Sequence, residues 1–109
     1  MLSPWFVYMV RTRQDTLYTG VTTDVDRRFS EHCQGGSKSA RYLRGKAPLT
    51  LAWHQVVASK QQAMQLEYRV KRLPRRTKDK LVLGLLHLGD LFPEINLDSQ
   101  VLEMGKSVE

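Results

Sequence analysis

The sequence predicts an α/β fold in which a small three-stranded antiparallel sheet is flanked by three helices. Three observations carry this expectation. Trp5 to Val10 and Thr16 to Val21 are runs of apolar and β-forming residues separated by the polar Thr12, Arg13, Gln14 and Asp15, the pattern of a β-hairpin. Leu49 to Val57 is a third run with period-two alternation. Helical stretches near Asp24–Cys33, Ser59–Leu73 and Lys78–Leu88 lie between and after these runs. A chain of 109 residues holds one modest core and little else.

In the hairpin, side-chain alternation puts Phe6, Tyr8 and Val10 on one face of the first strand, and Tyr18 and Gly20 together on one face of the second. Two tyrosines can therefore point to the same side. The next helix has Thr23 or Asp24 as its cap, with Asp24 and Asp26 at the positive end of its dipole. At about 100° per residue Val25 and Phe29 form its buried stripe, Arg28 and His32 sit together on the flank, and Arg27 points away. Gly35 is the expected C-cap.

A basic loop follows, carrying Lys38, Arg41, Arg44 and Lys46 around Tyr42, with Gly45 and Pro48 keeping it irregular. Such a loop suits contact with phosphates and bases; the alternative is a solvated connection in which Tyr42 packs on the core. Strict alternation in the third strand places Leu49, Leu51, Trp53 and Val57 on one side, with Thr50, His54 and Val56 on the other. His54 and His87 have no Cys or His partner at metal-site spacing and read as structural. Ser59 and Gln62 form a capping box for the next helix, whose stripe is Ala63, Leu66, Val70 and Leu73 and which Pro74 stops. Glu67 lies at the rim of that stripe. Taken alone, it is a surface acid paired with Lys71. Thr77 is the expected cap of a last helix with Leu81, Leu85 and Leu88 as its core stripe.

Charge divides the chain. The whole carries +6, but residues 89–109 hold one base, Lys106, against five acids, a net −4, which leaves 16 bases and 6 acids, +10, in residues 1–88. The expected organisation is one domain over 1–88 and an acidic C-terminal extension over 89–109, able to pack, pair or stay disordered. The basic excess favours nucleic acid as partner. A single cysteine, Cys33, rules out an intramolecular disulfide; with no basic leader before Pro4 and no apolar run long enough for a bilayer, the expectation is a soluble cytoplasmic protein.

The hairpin and the helix after it resemble the GIY-YIG nuclease superfamily. Phe6-Val7-Tyr8 stands where its first tripeptide would be and Tyr18-Thr19-Gly20 where the second would be. Arg28 lies ten residues after Tyr18 and His32 four after Arg28, and the likeness runs on to Glu67, spanning roughly the first eighty residues. Phe6 replaces the first glycine and Thr19 the isoleucine; neither change removes a reactive group. The chain is most similar to the small stand-alone bacterial members with a motif near YTGVTTD, the UPF0213-like group, whose pattern Lys71 also matches.

What the resemblance implies is a metal-dependent endonuclease acting on nucleic acid, DNA before RNA, as a monomer or weak dimer. Glu67 would be the ligand of a single divalent cation, Mg²⁺ or Mn²⁺, with waters completing its shell. Arg28 would grip the scissile phosphate. Tyr8 or Tyr18 would be the general base, and His32 would orient a tyrosine or relay a proton. Lys38, Arg41, Tyr42, Arg44, Lys46 and Lys71 would contact nucleic acid, and Gly20 would be a structural part of the motif. A GIY-YIG scaffold that binds nucleic acid with little or no cleavage is the alternative, and an interaction module using the acidic tail is a third reading.

Overall fold

In the computed structural model, which describes residues 4–95, β1 (Trp5–Arg11) is the central strand, and β2 (Leu17–Thr22) and β3 (Thr50–Val57) pair antiparallel on either side of it. The turn between β1 and β2 closes through the Thr12 N–H on the Thr16 carbonyl, and Asp15 takes a positive φ of 64°. Asp tolerates that region better than most side chains. Its carboxylate accepts from Arg11 at 2.6 Å and from Arg75 at 3.2 Å, and Arg75 also donates to the Asp15 carbonyl. The hairpin tip is thus fastened to a helix 60 residues further on.

Tyr8 stands opposite Gly20 and Val10 opposite Tyr18, so the alternation expected for the hairpin holds. It fails in β3. Met9 faces Trp53 but Val10 faces Leu51, so Ala52 is an extra residue, a β-bulge. The bulge separates the stripe expected on one side. Leu49 and Leu51 pack with Tyr8 and Val10, whereas Trp53 and Val57 pack with Val7 and Met9 on the opposite face.

Helix α1 (Val25–Gln34) is capped by the Asp24 carboxylate on the Arg27 N–H at 3.0 Å and ends at Gly35, φ 71°. A 3₁₀ turn at Arg41–Leu43 follows. Helix α2 (Lys60–Lys71) opens with Ser59 Oγ accepting from the Gln62 N–H at 3.1 Å, while the Gln62 side chain accepts from the Ala58 N–H at 2.9 Å. The last expected helix is two. Helix α3 (Arg75–Val82) begins directly after Pro74, whose carbonyl accepts the N–H groups of Thr77 and Lys78, so Thr77 lies inside the helix instead of capping it. Gly84, φ 76°, turns the chain out, leaving Leu85 71 % exposed, and Leu88 opens a separate short helix, α4 (Leu88–Leu91). Among the described residues, four α-helices therefore flank the sheet where three were expected.

The largest apolar cluster lies between the sheet and α2, α3 and α4: Val7, Met9, Ala63, Leu66, Val70 and Leu81 are buried there. It is closed by Leu88 and Ile95, with Leu91 and Phe92 against it, and Arg69 of α2 pairs with Glu94. The acidic segment contributes to the core as far as Ile95. Leu97, Asp98, Glu103, Lys106 and Glu109 lie outside the described residues. Among the described residues no helix is long and apolar enough to cross a membrane.

Candidate active site

The other face of the sheet, covered by α1, gathers the reactive side chains. Tyr8 rises from the central strand and is 1 % exposed. A Cβ on Gly20, directly opposite, would stand 2.6 Å from the Tyr8 hydroxyl oxygen and 2.7 Å from its ring carbon. Gly20 is therefore a strand residue, not the turn residue its type suggests, and the room left by its missing side chain is where Tyr8 lies.

His32, on the face of α1 turned to the sheet, is 2 % exposed. Its Nδ1 accepts the Ala40 backbone N–H at 3.2 Å, so the neutral ring carries its proton on Nε2, which donates to the Tyr8 oxygen at 2.8 Å. Burial, helped by the charge of Arg28, depresses the His32 pKa to about 4. The ring is neutral at physiological pH, and its tautomer is set by a main-chain donor. Ser39 Oγ donates to the His32 carbonyl at 3.3 Å and completes this support.

Arg28 is 28 % exposed and Arg27 59 %, as the helical phase requires. Arg28 donates to Glu31 at 3.0 Å and to the Lys38 carbonyl, and its guanidinium lies close enough to Tyr8 to oppose the rise of that pKa. Burial prevails, aided by Tyr18, and pushes Tyr8 up to about 12. Tyr18 is also raised, chiefly by burial. Its ring centroid lies 6.4 Å from that of Tyr8 and 5.7 Å from that of His32, edge-on to the latter. Glu67 belongs to α2, which packs along β2, and its charge raises both tyrosines. Five residues from four elements thus feel one another: Tyr8, Tyr18, Arg28, His32 and Glu67.

The carboxylate of Glu67 pairs with Lys71 Nζ at 3.6 Å. A lone, mostly buried carboxylate is a hard oxygen donor that fits one Mg²⁺ or Mn²⁺ with waters for the remaining positions. It does not fit a zinc centre, because no group of three or more His, Cys, Asp or Glu gathers among the described residues.

The basic loop is more firmly built than its composition suggests. Leu43 is in the core, Tyr42 stacks on Tyr18 with centroids 6.1 Å apart, and the Tyr42 hydroxyl donates to Thr16 Oγ1 at 3.0 Å. Lys46 Nζ lies 3.3 Å from the centre of the Tyr42 ring. Arg44 donates to the Ser37 carbonyl at 3.2 Å, while Lys38 and Arg41 are exposed. Tyr42 and Lys46 are thereby joined to the cluster through Tyr18, and Lys38, Arg41 and Arg44 form an outer basic surface. The sequence reading missed Glu31, Ser39, the Ala40 N–H and Thr16. Glu31 was legible as the i+3 partner of Arg28; the others act across loops and leave no local signal.

Residues 4–80 match the family described as the GIY-YIG catalytic domain. UPF0213 protein YhbQ of Escherichia coli O139:H28 is 44 % identical over 102 residues, covering 89 % of this chain and 100 % of its own. A UPF0213 protein of Vibrio cholerae is 49 % identical over 90 residues, 82 % of this chain and 87 % of its own. The solution structure of UPF0213 protein BH0048 from Bacillus halodurans shares 44 % identity, covering 72 % of this chain and 82 % of that one, with a TM-score of 0.46.

Proposed function

The chain belongs to the GIY-YIG family, and from that premise we propose that it is a metal-dependent endonuclease that hydrolyses phosphodiester bonds of nucleic acid, DNA before RNA, in the cytoplasm as a monomer or weak dimer. The observation that carries this is the 2.8 Å bond between Tyr8 and His32 with Arg28, Tyr18 and Glu67 around it. Separately each side chain has an ordinary structural use; packed together at the cost of burying ionisable groups, they call for a chemical one.

Tyr8 is the general base in this reading. The His32 Nε2–H and the Arg28 charge both favour its phenolate, and Tyr18, half-exposed beside it, orients the substrate. Arg28 takes the scissile phosphate and the negative charge that develops on it. His32, held in one tautomer, keeps the Tyr8 oxygen in place while a proton moves onto it. A divalent cation on Glu67 would neutralise phosphate charge and acidify oxygens near it.

Glu67→Gln should abolish cleavage in a panel of single-stranded, duplex, branched and RNA substrates with Mg²⁺ or Mn²⁺, while leaving binding and melting temperature near wild type. Full activity in that variant would remove the metal assignment. Tyr8→Phe should cost more turnover than Tyr18→Phe, and the reverse order would exchange their roles. Binding without turnover is the second reading. It is favoured by the resting state, in which Glu67 is paired with Lys71 and Tyr8 is protonated. Stoichiometric binding with no metal-dependent product would establish it.

A further inference from the structure

A cleft of about 320 Å³ wraps the outer edge of β2, lined by Leu17, Tyr18, Thr19, Tyr42, Lys71 and Lys78. Because β2 is an edge strand, the cleft draws on both faces of the sheet: Tyr18 and Tyr42 come from the side of α1, Lys71 and Lys78 from α2 and α3. Among the described residues no acidic side chain lines it, although Lys71 is paired with Glu67 at 3.6 Å beside it. Lys78 is half-buried and its ammonium donates to the Lys71 carbonyl at 3.1 Å, which uses one of its three donors. The positive charge of two lysines, the spare donors of Lys78 and two aromatic rings thus meet in a space at the small end of ligand sites, which run from roughly 300 to 1,000 Å³.

We propose that this cleft is a subsite for one nucleotide flanking the scissile bond, with Lys71 and Lys78 holding its phosphate. The assignment rests on the nucleic-acid reading above and adds to it a place and a register. Tyr18 belongs to both the cleft and the reacting cluster, so a nucleotide held here is the immediate neighbour of the phosphate that Arg28 would take. The aromatic wall is preformed, since Tyr42 is stacked on Tyr18 and tied to Thr16.

Amine footprinting of the full chain with acetic anhydride, with and without a short single-stranded oligodeoxynucleotide in EDTA, tests the subsite. Lys71 and Lys78 should be protected several-fold, while Lys60, at the far end of α2, reacts as before. Lys78→Met should weaken binding about tenfold and lower the slope of log K against log salt by about 0.7, one phosphate contact on a single strand. Lys78→Arg should retain both. Oligonucleotide binding with unprotected Lys78 and unchanged affinity of Lys78→Met overturns the subsite and leaves the nuclease reading standing. Equal protection by inorganic phosphate alone would mark an isolated anion site and also overturn it. Absence of any binding or cleavage removes the nucleic-acid reading, and the subsite with it.

Discussion

On the side of the sheet covered by α2, α3 and α4, Val7 and Met9 meet an apolar cluster; on the side covered by α1, Tyr8 and Val10 share their space with His32 and the ring of Tyr18. The two sides use alternate residues of the same central strand. The first needs only matched volume. The second buries ionisable groups against their preference, as the rise of Tyr8 and the fall of His32 show. Apolar packing is concentrated on one side of the sheet and most of the ionisable cluster on the other, with Glu67 reaching it from α2, and each side should fail in its own manner.

The largest effects are expected on the chemical side. Arg28→Ala should lower turnover by about 10²–10³ through loss of a positioned charge. Arg27→Ala, one residue away and facing solvent, should change binding only slightly. Equal losses would mean that the separation between buried and solvated arginines does not control activity. Leu66→Ala and Gly20→Ala should then part company. Leu66, fully buried in the apolar cluster, should cost about 2–5 kcal/mol of stability with normal turnover per folded molecule. Gly20→Ala should cost about 1–3 kcal/mol by overpacking but lose turnover out of proportion, because its new methyl occupies the place of the Tyr8 hydroxyl. Chemical denaturation and activity measured on the same samples decide this.

Truncation after Leu88 removes Ile95, Leu91 and Phe92 from the apolar side and should cost about 2–3 kcal/mol. An unchanged melting temperature would show that the segment adds nothing to the core. The smallest effect is a pH slope. His32 has a folded pKa below its unfolded one, so as pH falls from about 6.5 toward 4 the unfolded chain takes up a proton first and stability declines. Between pH 7 and 5.5 this amounts to about 1 kcal/mol, and the slope should flatten in His32→Gln. Identical slopes in the two proteins would show that His32 is not the group responsible.

Much of the site was legible because it is built from local rules. Period two in the hairpin put Tyr8, Tyr18 and Gly20 on one face, and the helical period set Arg28 and His32 beside them. What escaped was decided elsewhere. The bulge at Ala52 interrupts a stretch that reads as clean alternation, since only the partner strand shows the extra residue. Pro74 signals a stop, yet its carbonyl also starts the next helix. Tyr42 gives no sign in its loop sequence of the ring on which it stacks. The support of His32 by a backbone N–H from Ala40 is invisible to any reading based on side chains.

The two clusters also differ in how far along the chain their members lie. Every residue of the apolar cluster around Tyr8 falls between Tyr8 and Leu51, whereas the opposite cluster is closed by Leu88 and Ile95. A chain emerging from the ribosome can therefore assemble the hairpin, α1 and β3 around Tyr8 and His32 while its other face still awaits a cover. The pocket around Tyr8 and His32 is formed first, and α2 brings Glu67 to it later, together with the half that holds the molecule together.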